Sequence, residues 1–250
     1  MEEVYDYSRH RYCINIDLGY DMITSMAVAI NKTSDEDEML VDIKLAEFIR
    51  VFFFFFLTNS VFRDRFEYEY RTSILCDTST RNIIARGYKA DEANEDPKGF
   101  QEGVIYVHNT LSELADIYLK SKQQSFDTTA LYALLCEEAI DLLQKILDRH
   151  KQESNSVNMD FFYSLNLPTS WDYELRKELF LPLFVKAGLL HEKDGPGRLV
   201  FFSMLELTFR DIQGYRTWDD DDRNIKYGDQ CLICTIDYQD YHKENWCHNC

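Results

Sequence analysis

Residues Tyr12 to Leu18 alternate loosely between apolar and polar positions and are rich in Ile, which predicts a strand. Gly19-Tyr20-Asp21 then predicts a tight turn, and the apolar stretch Ile23 to Ile30 a second strand that closes a hairpin with the first. Asn31 to Glu38 is a polar, acidic loop. Met39 to Ile49 fits a third strand, although Leu45-Ala46-Glu47 also suits a helix. Arg71 to Asp77 predicts a further short strand.

Helical periodicity begins at Thr110. Leu111, Leu114, Ala115, Ile117 and Tyr118 share one face up to Gln123, with Thr110 placed to cap the helix. Asp127 is placed to cap a longer helix, whose stripe is Leu131, Leu134, Leu135, Ile140, Leu142, Leu143, Ile146 and Leu147. Arg149-His150-Lys151 suits the negative end of that helix. Met159 to Leu167 predicts a strand ended by Pro168. Thr169 or Ser170 then caps a third helix that runs to Ala187 and stops at Gly188, with a kink at Pro182. Arg198 to Phe202 predicts a strand, Ser203 to Gln213 a fourth helix, and Cys231 to Asp237 a last strand. A meander of strands followed by alternating helices and strands predicts an α/β fold with a sheet of mixed direction.

Composition narrows the function classes. The chain has 250 residues, of which 45% are hydrophobic, 14% aromatic and 28% charged, so it has ample material for a packed core. Its formal charge of −17 disfavours nucleic acid and anionic membrane as partners, because both are polyanions. Trp218 to Arg223 contains four consecutive Asp, which reads as a solvated loop. The N-terminus is acidic and lacks the apolar core of a secretory signal. The most apolar run, Val51 to Leu57, is far too short to cross a bilayer, which takes about 20 residues. Five consecutive Phe within it match no helix or strand face, and two readings fit: a buried strand, or translated intron, since T-rich DNA encodes Phe. The seven Cys, with no secretory signal, imply reduced thiols and a cytoplasmic protein.

Several segments resemble the 70-kDa heat-shock protein family, in particular its divergent fungal and animal relatives. Ile14-Asn15-Ile16-Asp17-Leu18-Gly19 is similar to the first phosphate motif, IGIDLGTT. Ala85 to Ala90 resembles the WGYEA stretch, and Ser164 to Trp171 resembles SLTVPAxW. Lys186-Ala187-Gly188-Leu189 matches a helix ending in KAGL, Arg198 to Ser203 resembles the start of RLxxxSEPEAA, and Gly228 to Leu232 resembles the approach to the second phosphate motif. The likeness runs over residues 12–237. It implies a ribonuclease-H-like lobe of the actin-like ATPase fold over residues 1–226, with an insertion at 50–62, and an orphan first strand of a second lobe or a tail over 227–250. It also implies ATP and Mg²⁺ as ligands, with Asp17, Gly19, Tyr20 and Asp21 forming the phosphate loop. Small residues in such loops let backbone N–H groups approach phosphate, while Asp holds Mg²⁺ through water.

The chain departs from that pattern where the chemistry is most demanding. Tyr20-Asp21 stands in place of Thr-Thr, so a carboxylate would face the polyphosphate. Met204 takes the position of the family's first glutamate in EPEAA, and Glu206 matches only the second. Thr235 to Asp240 keeps none of the glycines of the second loop, and the residues after it do not supply a second lobe. The expectation is a degenerate lobe without ATPase activity, with a binding or scaffolding role and a protein partner over its exposed cleft face. One alternative is an ATP-binding lobe completed by a partner chain. Another is a small zinc protein, because Cys231-x-x-Cys234 and Cys247-x-x-Cys250 pair two thiolates twice, with His242 and His248 as substitute ligands. A strand over Cys231 to Asp237 would put Cys231 and Cys234 on opposite faces and prevent it. Asp17 itself reads either as a Mg²⁺–water ligand at a strand end or as a turn-former before Gly19.

Overall fold

The computed structural model describes residues 5–19, 22–29, 65–96, 102–123 and 129–203. The expectations for the polyphenylalanine run, Asp127, the fourth helix, the four-Asp loop and the last strand fall outside these residues, as does the 226/227 boundary.

The chain is α/β, built on a five-stranded mixed sheet. Strands β1 (Tyr12–Leu18), β2 (Met22–Ala29) and β3 (Arg65–Arg71) form an antiparallel meander. On the other side of β1, strands β7 (Phe161–Leu167) and β8 (Leu199–Ser203) are parallel to it, giving the order β3-β2-β1-β7-β8. β7 lies between two parallel strands and is buried along its whole length, as its unbroken FFYSL run requires. A smaller antiparallel sheet, β5-β4-β6, is made of β4 (Ile74–Asp77), β5 (Asn82–Arg86) and β6 (Val104–Val107), with helix α1 (Tyr88–Asn94) after β5.

Arg71 to Asp77 is therefore not one strand. It breaks at Thr72-Ser73, where the chain leaves one sheet for the other. The Thr72 carbonyl accepts from both the N–H and the hydroxyl of Thr110, and Ser73 exchanges bonds with Gly87, so neither residue continues a ladder. β5, α1 and β6 are elements that the periodicity did not predict.

Helices α2 (Thr110–Gln123) and α3 (Thr129–Ser154) fall where the periodicity puts them. The cap of α2 is Asn109, not Thr110: its side-chain oxygen accepts from Ser112 N–H at 3.1 Å. The basic end of α3 also differs from expectation. The helix continues to Ser154, His150 is fully buried, and the Arg149 guanidinium lies 3.9 Å from the Tyr68 ring centroid. The strand predicted from Met159 begins at Phe161, after a 3-10 turn over Asn158–Asp160.

The third predicted helix is capped by Asp172 rather than Thr169 or Ser170, its carboxylate accepting from Leu175 N–H at 2.8 Å. It comprises α4 (Tyr173–Leu175), a π-helical turn (Arg176–Phe180) and α5 (Leu181–Lys186). The π turn sits just before Pro182, whose ring would collide with the carbonyl four residues back. Widening the turn, with Leu181 N–H reaching back to Arg176, accommodates it. Gly188 stops the helix at φ 76°. Its N–H bonds the Val185 carbonyl, and Leu189 N–H bonds that of Phe184, a Schellman ending.

Alternation along the strands divides the large sheet. Ile14, Ile16, Ile23, Ala27, Phe161, Tyr163, Leu165 and Leu167 face α2, α3 and the α4–α5 helix in one apolar core. Cys13, Met26 and Phe162 form a second cluster on the opposite face, against Tyr7 of the N-terminal segment. That segment is strapped down at His10. The ring Nδ1–H donates to the Met159 carbonyl at 2.9 Å, leaving Nε2 to accept from Tyr5 O–H at 2.7 Å. Beside it, the buried Arg198 binds Asp194, the Phe161 carbonyl and Asn158. Among the described residues no helix is long and apolar enough to cross a membrane.

Candidate functional site

Parallel pairing brings the carboxyl ends of β1, β7 and β8 to the same end of the sheet, the position from which open α/β sheets address ligands. Asp17 stands there. Its register partners are Thr24 on β2 and Asn166 on β7, and all three point to the face opposite the helices. Burial raises the Asp17 carboxyl above its usual range, against hydrogen bonds from the Asn166 side chain and the backbone at Leu18. One pleat deeper, Ser164 donates to the Asn15 side-chain oxygen at 2.7 Å and lies 3.8 Å from Cys13 Sγ. This face of the sheet thus carries a polar line, Ser164–Asn15 and then Asn166–Asp17, leading out to the strand ends.

Gly19 follows directly. A Cβ there would come within 2.8 Å of the Met22 carbonyl, so the hairpin turn excludes any side chain at this position. The turn-forming reading of the Asp17-Leu18-Gly19 segment therefore has a steric basis that is independent of any ligand. Asn109, also buried, donates its side-chain N–H to the Gly19 carbonyl at 3.1 Å, tying the turn to the start of α2. The spacing of the strand motif gives no hint of this residue; an Asn just before a helical run is visible only as a cap.

Asp17 and Gly19 are the members of the expected phosphate loop that the structure places. Tyr20 and Asp21 lie outside the described residues, as do Cys231, Cys234, Cys247 and Cys250. Among the described residues there is no cluster of three or more His, Cys, Asp or Glu able to hold a metal, and Cys13, Cys76 and Cys136 are free thiols. At the strand ends, Asp17 with Asn166 offers one carboxylate and one amide. That pair can accept a hydrogen bond or orient a hydrated cation.

Two further polar groupings went unseen in the sequence. Ser25 Oγ and His150 Nε2 lie 2.9 Å apart within the core. At the junction of the two sheets, Tyr106 donates to Asp91 at 2.9 Å and meets His108 Nδ1 at 3.1 Å, while Arg71 reaches Asp91 at 3.5 Å. A phenol has one proton, and the carboxylate can only accept it, so His108 Nδ1 must be the protonated nitrogen. Burial first, then Asp91, pushes the Tyr106 hydroxyl up to about 12. These bonds fix the loop that leads into Asn109. No family model, no curated protein and no solved structure matches this chain.

Proposed function

We propose that this chain is a degenerate lobe of the 70-kDa heat-shock protein type, with a ribonuclease-H-like fold, that serves in binding or scaffolding and does not hydrolyse ATP. One observation carries the reading: Asp17 lies one residue before the end of the first strand of a three-strand meander, directly beside a parallel strand that closes on Pro168. A meander extended on its β1 side by parallel strands, with helices between them, is the element string that the resemblance implies. The motif Ile14 to Gly19 falls where such a lobe would receive phosphate. The loss of chemistry is argued from the sequence. Met204 supplies no acid or base where the family has glutamate, and Thr235 to Asp240 offers no glycine loop.

Calorimetric titration with Mg·ADP and Mg·ATP, together with a turnover assay, tests the proposal. The expected result is no hydrolysis above background. A measurable rate that Asp17→Ala abolishes would overturn it, because removal of a working Mg²⁺ ligand costs several kcal/mol in the transition state. Tight nucleotide binding that appears only when a second protein is added would favour a lobe completed by a partner.

A further inference from the structure

Asn109 makes one hydrogen bond beyond those of a helix cap. Its Oδ1 accepts from Ser112 N–H at 3.1 Å, and its backbone carbonyl accepts from Glu113 N–H at 2.9 Å; together these fix the first turn of α2. Its Nδ2 donates in the opposite direction, to the Gly19 carbonyl at 3.1 Å, 90 residues away in sequence. The side chain is buried, so both bonds form in a setting where a lost partner cannot be replaced freely by water. Gly19 cannot supply a side chain of its own to hold its peptide group. The plane of that peptide is therefore set from outside, by Asn109.

We propose that Asn109 is a positioning residue for the β1 end of the site. By holding the Gly19 carbonyl, it fixes Gly19 beside Asp17, and it couples this end of β1 to the N-terminus of α2. The proposal rests on the reading of this strand end as a ligand site. Its structural part, the control of the turn by the Asn109 amide, stands independently. The environment of Asn109 supports a fixed geometry. On one side, Thr110 bonds the Thr72 carbonyl through both its N–H and its hydroxyl; on the other, His108 meets the Tyr106 hydroxyl, which is itself held by Asp91. The residue is thus clamped from both neighbours and can transmit little slack to Gly19.

Asn109→Asp separates the two roles. Asp caps a helix as well as Asn does, so α2 keeps its cap, but the amide donor is gone and a carboxylate oxygen meets the Gly19 carbonyl. Asn109→Ser also keeps a cap and removes the donor without adding charge, which guards against misfolding of the first variant. In the full chain, amide hydrogen exchange at Leu18 and Gly19 should accelerate about tenfold in both variants, while exchange at Leu114 to Ile117 within α2 stays within about twofold of the parent. Mg·ADP affinity should fall about tenfold in both variants. Unchanged exchange at Leu18 and Gly19, or equal acceleration in α2, would overturn the positioning role. If the parent chain takes up no Mg·ADP, the reading of this strand end as a nucleotide site fails while the degenerate-lobe reading stands, and the exchange measurement still decides the role of Asn109.

Discussion

His150 Nε2 and Ser25 Oγ lie 2.9 Å apart, and both residues are shut off from solvent between β2 and α3. A Ser–His pair suggests nucleophilic catalysis, but a buried pair without access to substrate works as packing. Among the described residues, the Nδ1 of His150 has no hydrogen-bond partner. Burial, and secondarily Arg149, pulls its pKa from 6.5 down to about 4. The folded state therefore binds fewer protons than the unfolded state between these values. The stability this His contributes in its neutral form is complete above pH 6.5 and is lost as the pH falls towards about 4. The loss is on the order of 3 kcal/mol. Urea unfolding across this window should show a shallower pH slope in His150→Leu than in the parent.

Arg198 is almost wholly buried and holds three acceptors besides Asp194: the carbonyls of Phe161 and Asn158 and the Asn158 side chain. Arg198→Met should cost about 3–5 kcal/mol, because it leaves the Asp194 carboxylate without its charged partner and takes a donor from the Phe161 and Asn158 carbonyls. Chemical denaturation measures it. Arg198→Met with Asp194→Asn should cost less than the sum of the two single changes, because they share one network.

A Cβ on Gly197 would fall 2.3 Å from the Tyr5 Cβ and 2.5 Å from its ring. The obstacle is the root of the side chain, so rotation cannot relieve it. Gly197→Ala should destabilise by about 1–3 kcal/mol and speed exchange of the N-terminal segment. In a Tyr5→Gly background, which removes the Cβ as well as the ring, the same substitution should cost almost nothing further. Additive losses would show that the strap does not press on this turn.

Cys13 is buried on the second face of the sheet, and burial pushes its thiol up far enough that thiolate is scarce at neutral pH. Cys76 is buried as well, whereas Cys136 on α3 is only half-buried. Of these three, Cys136 should be alkylated first in the native protein, with Cys13 and Cys76 modified at the rate of unfolding. Mass-spectrometric mapping over time distinguishes the two classes.

The long, strongly periodic elements were legible in the sequence. Tyr12 to Leu18, the hairpin partner ending at Ala29, and α3 with its stripe from Leu131 to Leu147 each give enough repeats to fix the period. β6 offers only Val-Ile-Tyr-Val and β5 only Asn-Ile-Ile-Ala-Arg, with a bulge at Ile84 opposite the Leu75–Cys76 step of their shared neighbour. Such stretches hold too few alternations to separate strand from loop. The split at Thr72-Ser73 was hidden because its cause, Thr110, lies 38 residues away. Asp17 could be read from its motif. Asn166 and Asn109 could not, since only pairing of β1 with β7 and docking of α2 bring them to it. His150 reads in the sequence as part of a basic helix end because its neighbours Arg149 and Lys151 are charged, whereas the turn of the helix puts it on the inner face.

The double bond from Thr110 to the Thr72 carbonyl has a consequence for how the chain assembles. It pins together the two ends of the excursion that holds β4, β5, α1 and β6, so closing that loop requires two residues to meet rather than the whole excursion to be formed. The entropy of closure depends only weakly on the length of chain between them. The large sheet with α2 and α3 can therefore reach its register while the excursion is still incomplete. Substitutions in its outer part, from Asn82 to Asn94, should alter the rate of unfolding far more than the rate of folding.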